Sequence, residues 1–565
     1  MLRRFGRALV AVVLASLLAM PASAYAIPEE SEDQSDLSAS EIASAIAGGQ
    51  VDLSGEGLAE SGDVSTYAAG NKPVATLGGA TRYDTSAQEA LAAFSQSQYV
   101  ILAGGTNYSD SIAGSGLAGA LDAPILLVDP QSMGDETTGA IRTLKASKIV
   151  ILGGESSVSK QVESQATSLV GSGNVVRLSG ATRYDTQMKI YEYGVANSLW
   201  SGGVAVVASG ANFPDALSVS PVAFSQKAPV FFVDGSARLP SAQSAALKKL
   251  GKRTYLVIGG TSSVSSAVES TLRSIAGTQG SGTVTRLGGA DRYETSQKIN
   301  DYAVANLGFT WENLAFASGQ QPYDALGGGA MQGKNKRVLS LFDFFDARSE
   351  PNVRVSSKPA HLTFIGGRNT YSNVAKLQVA YKLGFKLNDI QGMRVYIDAG
   401  HGWNSSNNGS WDSGAVGNGY KEADLTSELA DKVAYVLRNN YGLDVYVNKS
   451  GWYKLRQTQA AQLDCGALVS IHFNSGGGAG SESYVHDRNM PWGSTVLQHS
   501  ITPGLANAVW RGNRGEKQAQ LAVLSTYVPS TLLEICFIDN SGDMQAYVSK
   551  KDTVAAAIAD GIALS

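Results

Sequence analysis

From residue 73 onward, short apolar runs alternate with stretches of helical period. Tyr99 to Ala103, Ile125 to Val128 and Lys148 to Leu152 are continuous apolar segments of strand length. Between them, Asp110 to Ala120 and Thr137 to Lys145 carry apolar residues at helical spacing. Strand, helix and strand at this spacing predict parallel pairing through right-handed crossovers, hence a small α/β module. The same alternation returns after Arg394. There Arg394 to Gly402, Ala467 to Ile471 and Thr531 to Ile538 read as strands, and Glu422 to Asn440 reads as a helix with Leu425, Leu429, Val433, Val436 and Leu437 on one face.

The first part of the pattern occurs three times. Leu77-Gly-Gly-Ala-Thr-Arg82-Tyr-Asp-Thr85 returns as Leu178-Ser-Gly-Ala-Thr-Arg183-Tyr-Asp-Thr186 and as Leu287-Gly-Gly-Ala-Asp-Arg292-Tyr-Glu-Thr295. A second block, Ala103 to Asp110, recurs at Ala208 to Asp215 and Ala317 to Asp324, and a third, Ile151-Leu-Gly-Gly154, recurs at Val257 and Phe364. The copies depart from one another in two places. Thr76 stands where the other repeats have Arg177 and Arg286, and the third copy has the unusual run Leu339 to Asp346.

These blocks resemble the cell-wall-binding repeat of Gram-positive surface proteins known as cell wall binding repeat 2. The resemblance implies three small Rossmann-like modules in a pseudo-threefold arrangement, over residues 73–172, 173–280 and 281–385, holding the chain non-covalently on an anionic secondary wall polymer. On physical grounds the Gly-Gly turns let backbone approach a ligand, and a turn entering a helix presents N–H groups to an anion. Arg82, Arg177, Arg183, Arg286 and Arg292 are then candidates for bidentate contacts with the polymer. The competing reading makes the Arg-Tyr-Asp cluster a structural ion pair.

The chemistry-bearing residues lie further on, in 392–565. His401 ends one predicted strand between Gly400 and Gly402, His472 ends another, and Glu422 opens the helix. Groups at the carboxyl ends of parallel strands converge on one edge, so two histidines and a carboxylate there make a His-Glu-His site for zinc with an open position. Two of the five histidines in the chain occupy equivalent strand ends. Glu534 stands alone in the apolar strand Thr531 to Ile538, where burial raises a carboxyl pKa into the range of a general base or acid. His486 and His499 read as surface or structural residues.

Residues Ile397 to Gly402, Tyr420 to Leu425, Val469 to Asn474, Gly480 to Tyr484 and Leu533 to Asn540 resemble the zinc-dependent N-acetylmuramoyl-L-alanine amidases of the amidase 3 family. By that resemblance the domain is α/β with a mostly parallel sheet. His401, Glu422 and His472 are its zinc ligands, Glu534 is its catalytic acid/base, and Asn474 and Glu482 are candidates for substrate contact. The implied reaction is hydrolysis of the amide between N-acetylmuramic acid and L-alanine of the peptidoglycan stem peptide. The chain departs from the family at Arg456-Gln-Thr-Gln-Ala-Ala461, where relatives carry Arg-x-x-x-Ala-Asn. Two other functions keep part of the pattern: a zinc peptidase acting on the stem peptide, and a wall-bound adhesin whose hydrolase domain is inactive.

Charge and leader change the picture only in where the protein works. A formal net charge of -4 offers no field for nucleic acid. Residues 1–26 read as a secretory signal, with Arg3, Arg4 and Arg7 before an apolar run too short to span a bilayer and small residues at Ala22, Ala24 and Ala26. Residues 27–72 are acidic and rich in Ser, Gly and Ala, as in a linker. No later stretch predicts a transmembrane segment in the mature chain, so the expected location is outside a Gram-positive cell, on its wall. Cys465 and Cys536 sit in apolar strands and are free buried thiols or a pair, not a disulfide framework.

Overall fold

The computed structural model describes residues 72–565 apart from 235–237, 252 and 281. The expected signal at 1–26, and the linker up to residue 71, lie outside the described residues. Strands β1 (Val74–Leu77), β2 (Tyr99–Gly104), β3 (Ile125–Val128), β4 (Lys148–Leu152) and β5 (Val175–Leu178) precede β6 (Val204–Ser209), β7 (Val230–Val233), β8 (Thr254–Ile258) and β9 (Thr283–Leu287). The repeat region ends with β10 (Thr310–Ala317), β11 (Arg337–Leu341) and β12 (His361–Ile365). They form three four-stranded sheets, β3-β2-β4-β5, β7-β6-β8-β9 and β11-β10-β12-β1, with every pair parallel.

The units of packing are thus shifted by one strand from the units of sequence. Each repeat opens with a strand that completes the sheet of the preceding module, and β1 closes the ring on β12, with Val74 opposite Leu362 and Leu77 opposite Ile365. The opening block explains the shift. In the first copy Thr81 accepts from the Asp84 amide while the Asp84 carboxylate accepts from the Thr81 amide, a capping box that starts the helix Arg82–Ala93. Thr182 and Asp185 repeat it. A Cβ on Gly78 would lie 2.4 Å from the Gly366 carbonyl carbon, and one on Gly288 2.5 Å from that of Gly259. The Gly-Gly turns therefore let two backbones approach each other, where the sequence suggested approach to a ligand.

At the centre, the short helices Ser115–Leu121, Ser220–Ser225 and Gly328–Lys334 pack on one another. Contact is close because glycine supplies it: a Cβ on Gly116 or Gly119 would lie 1.8 Å from the Ala228 or Phe224 carbonyl oxygen. The helix expected at Asp110 to Ala120 is two helices, Tyr108–Ala113 and Ser115–Leu121, meeting at Gly114. In the third copy the run from Leu339 supplies β11 only to Leu341, and Phe342 is buried beyond it.

The second region is one seven-stranded sheet. Its strands are β13 (Arg394–Trp403), β14 (Trp411–Asp412), β17 (Asp444–Ser450), β18 (Ala467–Asn474), β19 (Ser481–His486), β20 (Asn513–Ala519) and β21 (Ser530–Phe537), while β15 (Val416–Gly417) and β16 (Tyr420–Lys421) form a separate hairpin. The order β14-β13-β18-β21-β19-β20, with β17 also on β13, is parallel except at β13/β14 and β19/β21. Period-two alternation splits the core: Val395, Ile397, Val469 and Leu533 pack with the helix Glu422–Tyr441, whereas Tyr396, Leu468 and Leu532 pack on the opposite side with Ala460. Cys465 and Cys536 are both buried and unpaired. Among the described residues no helix is long and apolar enough to cross a membrane.

Candidate active site

Three neighbouring strands bring His401, His472 and Glu534 to one edge. β13 carries His401 two residues before its end, β18 carries His472, and His472 is the register partner of Glu534 on β21. Glu422 comes from the first helical residue of Glu422–Tyr441 and is buried. Its Oε2 lies 3.1 Å from His401 Nε2, and its Oε1 lies 3.0 Å from His472 Nδ1. One ligand atom from each of His401, Glu422 and His472 falls within 4.8 Å of the others, a grouping that suits a metal ion. The set of two imidazoles and one carboxylate matches zinc chemistry.

Local backbone makes this convergence possible. His401 has φ of 66°, a left-handed conformation unusual for a residue with a side chain, and Gly402 follows at 93°. A Cβ on Gly400 would lie 2.3 Å from the His472 ring, and one on Gly414 would lie 2.6 Å from both Glu422 Oε2 and the His401 ring. Both positions are therefore kept clear for the cluster. Around it, Asp412 Oδ2 stands 3.0 Å from His401 Nδ1, fixing the ring with its other nitrogen toward Glu422. The amides of Ala415 and Phe473 donate to the two Glu422 oxygens, and Thr426 Oγ1 donates to the Gly400 carbonyl.

Sequence reasoning missed the residue that holds the His401 turn. Arg456, buried on the helix Tyr453–Gln462, donates to Asp398 Oδ1 at 2.8 Å and to the carbonyls of Ala399 and His401 at 2.7 Å each, and also to Gly451. Ser470 donates to the other Asp398 oxygen. The pattern around Arg456 was visible, and a lone arginine on an otherwise packed helix was its only signal. The altered position, Ala461, is not one of these contacts.

Electrostatics separate the two glutamates. Burial opposes charge on Glu422, but hydrogen bonds and attraction from His401 and His472 outweigh it and hold its carboxyl well below the usual range. His401 is raised to about 9, since Glu422 and Asp412 outweigh its own burial. For Glu534 burial dominates, with Glu422 and Glu482 adding repulsion against the attraction of His472, and its carboxyl is pushed up to about 7. Its Oε2 is buried and has no hydrogen-bond partner.

The remaining candidates fall into place around this edge or away from it. Asn474 donates to Glu482 Oε1 at 2.7 Å, so those two residues meet each other. His486 accepts from the amides of Arg488 and Asn489, and His499 is an exposed partner of Glu516. In the repeats, Arg177 bonds Glu163 and the Gly153 and Ser159 carbonyls, and Arg286 bonds Glu269 and the Gly259 carbonyl. Those donors are engaged inside their own modules. Arg82, Arg183 and Arg292 donate to the carbonyls of Gly105, Gly210 and Gly319, and Arg82 and Arg183 also stack on Tyr323 and Tyr108 of the neighbouring module.

Residues 395–564 match the family described as N-acetylmuramoyl-L-alanine amidase, and residues 76–163, 177–269 and 286–376 match cell wall binding domain 2. The chain belongs to the N-acetylmuramoyl-L-alanine amidases. It is 28% identical over 498 residues to the N-acetylmuramoyl-L-alanine amidase LytC of Bacillus subtilis, covering 86% of this chain and 93% of that one. The amidase CwlM of Bacillus licheniformis is 31% identical over 179 residues, 30% of this chain and 68% of that protein. The solved structure of Cwp6 from Clostridium difficile covers 87% of this chain and 79% of its own at 23% identity and a TM-score of 0.48. This amidase is thus a peptidoglycan hydrolase carrying three wall-binding repeats.

Proposed function

We propose that the amidase cleaves the amide between the lactyl group of N-acetylmuramic acid and L-alanine with zinc held by His401, Glu422 and His472 and with Glu534 as general base and acid. The observation that carries this reading is the juxtaposition on adjacent strand ends of a three-ligand cluster and a carboxyl raised to about 7 with one oxygen unpartnered. Bound there, zinc supplies Lewis acidity to the scissile carbonyl and acidifies the attacking water. The chain's own residues do the rest. Glu534 Oε2 accepts a proton from that water and delivers it to the alanine nitrogen as the C–N bond breaks. The products are a lactyl carboxylate and a peptide with free amino-terminal alanine. Asp412 orients His401, and Arg456 holds the turn that presents it.

In this reading the repeats hold the secreted enzyme on an anionic secondary polymer of a Gram-positive wall, with Arg82, Arg183 and Arg292 as candidate contacts. The test of the chemistry separates ligands from base. His401→Ala, Glu422→Ala and His472→Ala lower zinc content and turnover together, whereas Glu534→Gln keeps zinc and loses about 10²- to 10⁴-fold in rate. Atomic spectroscopy beside turnover on the same samples reads both. Zinc loss in the Glu534 variant, or products lacking amino-terminal alanine, would sink the assignment.

A further inference from the structure

The strand order carries charged groups past Glu534 that the reaction above does not use. On β19, Glu482 is the direct antiparallel partner of Glu534. Two carboxylates facing each other across a strand pair repel, and Glu482 is neutralised from the next strand. Arg514 Nε donates to Glu482 Oε2 at 2.6 Å, and Lys517 Nζ donates to the same oxygen, while Asn474 and the Tyr484 hydroxyl donate to Oε1. The β19/β20 register shifts between Ser481 and Ser483, with Gly515 at φ 91°, and this bulge lets both cations turn to one carboxylate.

Two cations on one carboxylate leave a positive charge in excess. The Arg514 guanidinium lies 4.9 Å over the Phe537 ring and meets the protein's hydrogen-bond acceptors through Nε alone, so its Nη1 and Nη2 edge is unengaged among the described residues. Its side chain is 39% exposed and that of Lys517 is 35% exposed, whereas that of Glu482 is 2% exposed. A buried carboxylate thus holds two half-exposed cations in fixed positions.

We propose that Arg514 and Lys517 form an anion subsite that receives a carboxylate of the stem peptide, selecting peptides in which that group is free over those in which it is amidated. The inference rests on the amidase reading above for its substrate. β20 lies two strand spacings from β21, about 10 Å, and a peptide advances at most about 3.6 Å per residue. A carboxylate two or three residues beyond the scissile amide reaches the pair. The exposed guanidinium edge matches it as a bidentate partner, and the stem peptide then runs over β19 and β20, away from β13.

The competing explanation is that the cations only neutralise Glu482, and the experiment divides the two. With the full chain and a matched pair of soluble muropeptides, one with free carboxylates and one amidated, kcat/KM is about tenfold higher for the free form, the scale of a charged hydrogen bond. Arg514→Gln and Lys517→Gln bring that ratio toward one, chiefly through KM, and Lys517→Arg retains it. Neutralisation alone predicts that Glu482→Gln combined with Arg514→Gln restores the enzyme; the subsite predicts a ratio still near one. Equal wild-type kcat/KM for the two muropeptides overturns the proposal. Calorimetric binding of the two free stem peptides reads the subsite apart from turnover. Tighter binding of the free-carboxylate peptide without hydrolysis of either muropeptide would end the assigned reaction and keep the subsite, and equal binding would end the subsite.

Discussion

The active edge depends on single residues that do no chemistry themselves. Arg456 meets one carboxylate and three backbone carbonyls, including that of His401, whose left-handed backbone needs support. Removing it leaves Asp398 as a buried charge with Ser470 as its one side-chain partner among the described residues, which costs about 3–5 kcal/mol. Arg456→Met is therefore expected to lower the apparent Tm by about 10 °C, on the scale of 2–4 °C per kcal/mol for domains of this size, and to reduce zinc retention in the protein that remains folded. Arg456→Lys falls between, because one ammonium cannot span all four acceptors. Unfolding scans and metal analysis on the three proteins check this, and a methionine variant with native Tm and full zinc would contradict it. The candidate ligands and Glu534 were legible in the sequence because His401, His472 and Glu534 are polar residues at the end of, or inside, apolar runs and Glu422 opens an amphipathic helix. Arg456, Asp412 and Gly414 were not, since a residue that supports a turn from another element leaves no periodic mark.

At the level of elements the alternation of apolar runs predicted β2, β3 and β4 to within a residue, and the helix after β16 to its first residue. What it did not show is which sheet each strand joins: β1, β5 and β9 read alike whether they pair within their own repeat or with the one before. Comparing the repeats helix by helix exposes a further departure. Seven residues after Arg183 and Arg292 stand the buried Ile190 and Ile299, but seven after Arg82 stands Glu89, equally buried where its helix packs on Gly328–Lys334. Burial, reinforced by Asp324, raises the Glu89 carboxyl well above its usual value despite the Gly327 amide. The folded state thus prefers Glu89 protonated. A folded pKa above the unfolded one means that this contribution is complete below about pH 4, the unfolded carboxyl range, and is lost as pH rises toward the folded value. Glu89→Gln, which keeps the shape and cannot ionise, is expected to be more stable than the wild type, by a margin that widens from pH 5 to pH 8. Urea unfolding at several pH values measures it, and a margin constant with pH would show that the Glu89 carboxyl ionises alike in the folded and unfolded chains, so that burial does not raise it.

Across the whole molecule, ring closure and attachment of the amidase occur at the same joint. In the first two junctions the strand arginine pairs with a helix glutamate, Arg177 with Glu163 and Arg286 with Glu269. Where β1 closes the ring, both members change: the strand offers Thr76 and the helix Asn373–Lys382 offers Lys376, whose ammonium donates to the Thr76 hydroxyl. That helix is also the seat of the amidase. The Asn373 amide and side chain bond Asp464, Gln378 donates to the Trp492 carbonyl, and Tyr381 meets Ser565. Lys376 is buried beside Asp464, which opposes the loss of charge that burial favours. A glutamate there, as in the other repeats, would set a second buried carboxylate near Asp464 with no cation on the strand. Lys376→Glu is accordingly expected to destabilise the joint by about 3–5 kcal/mol, the cost of an uncompensated buried charge. Adding Thr76→Arg recreates the arginine–glutamate pair of the other junctions and should recover part of that loss, whereas Thr76→Arg alone sets two cations together and should destabilise. Unfolding of the four proteins forms a double-mutant cycle. A coupling energy near zero would mean that the exchanged pair does not govern how the ring closes beneath the amidase.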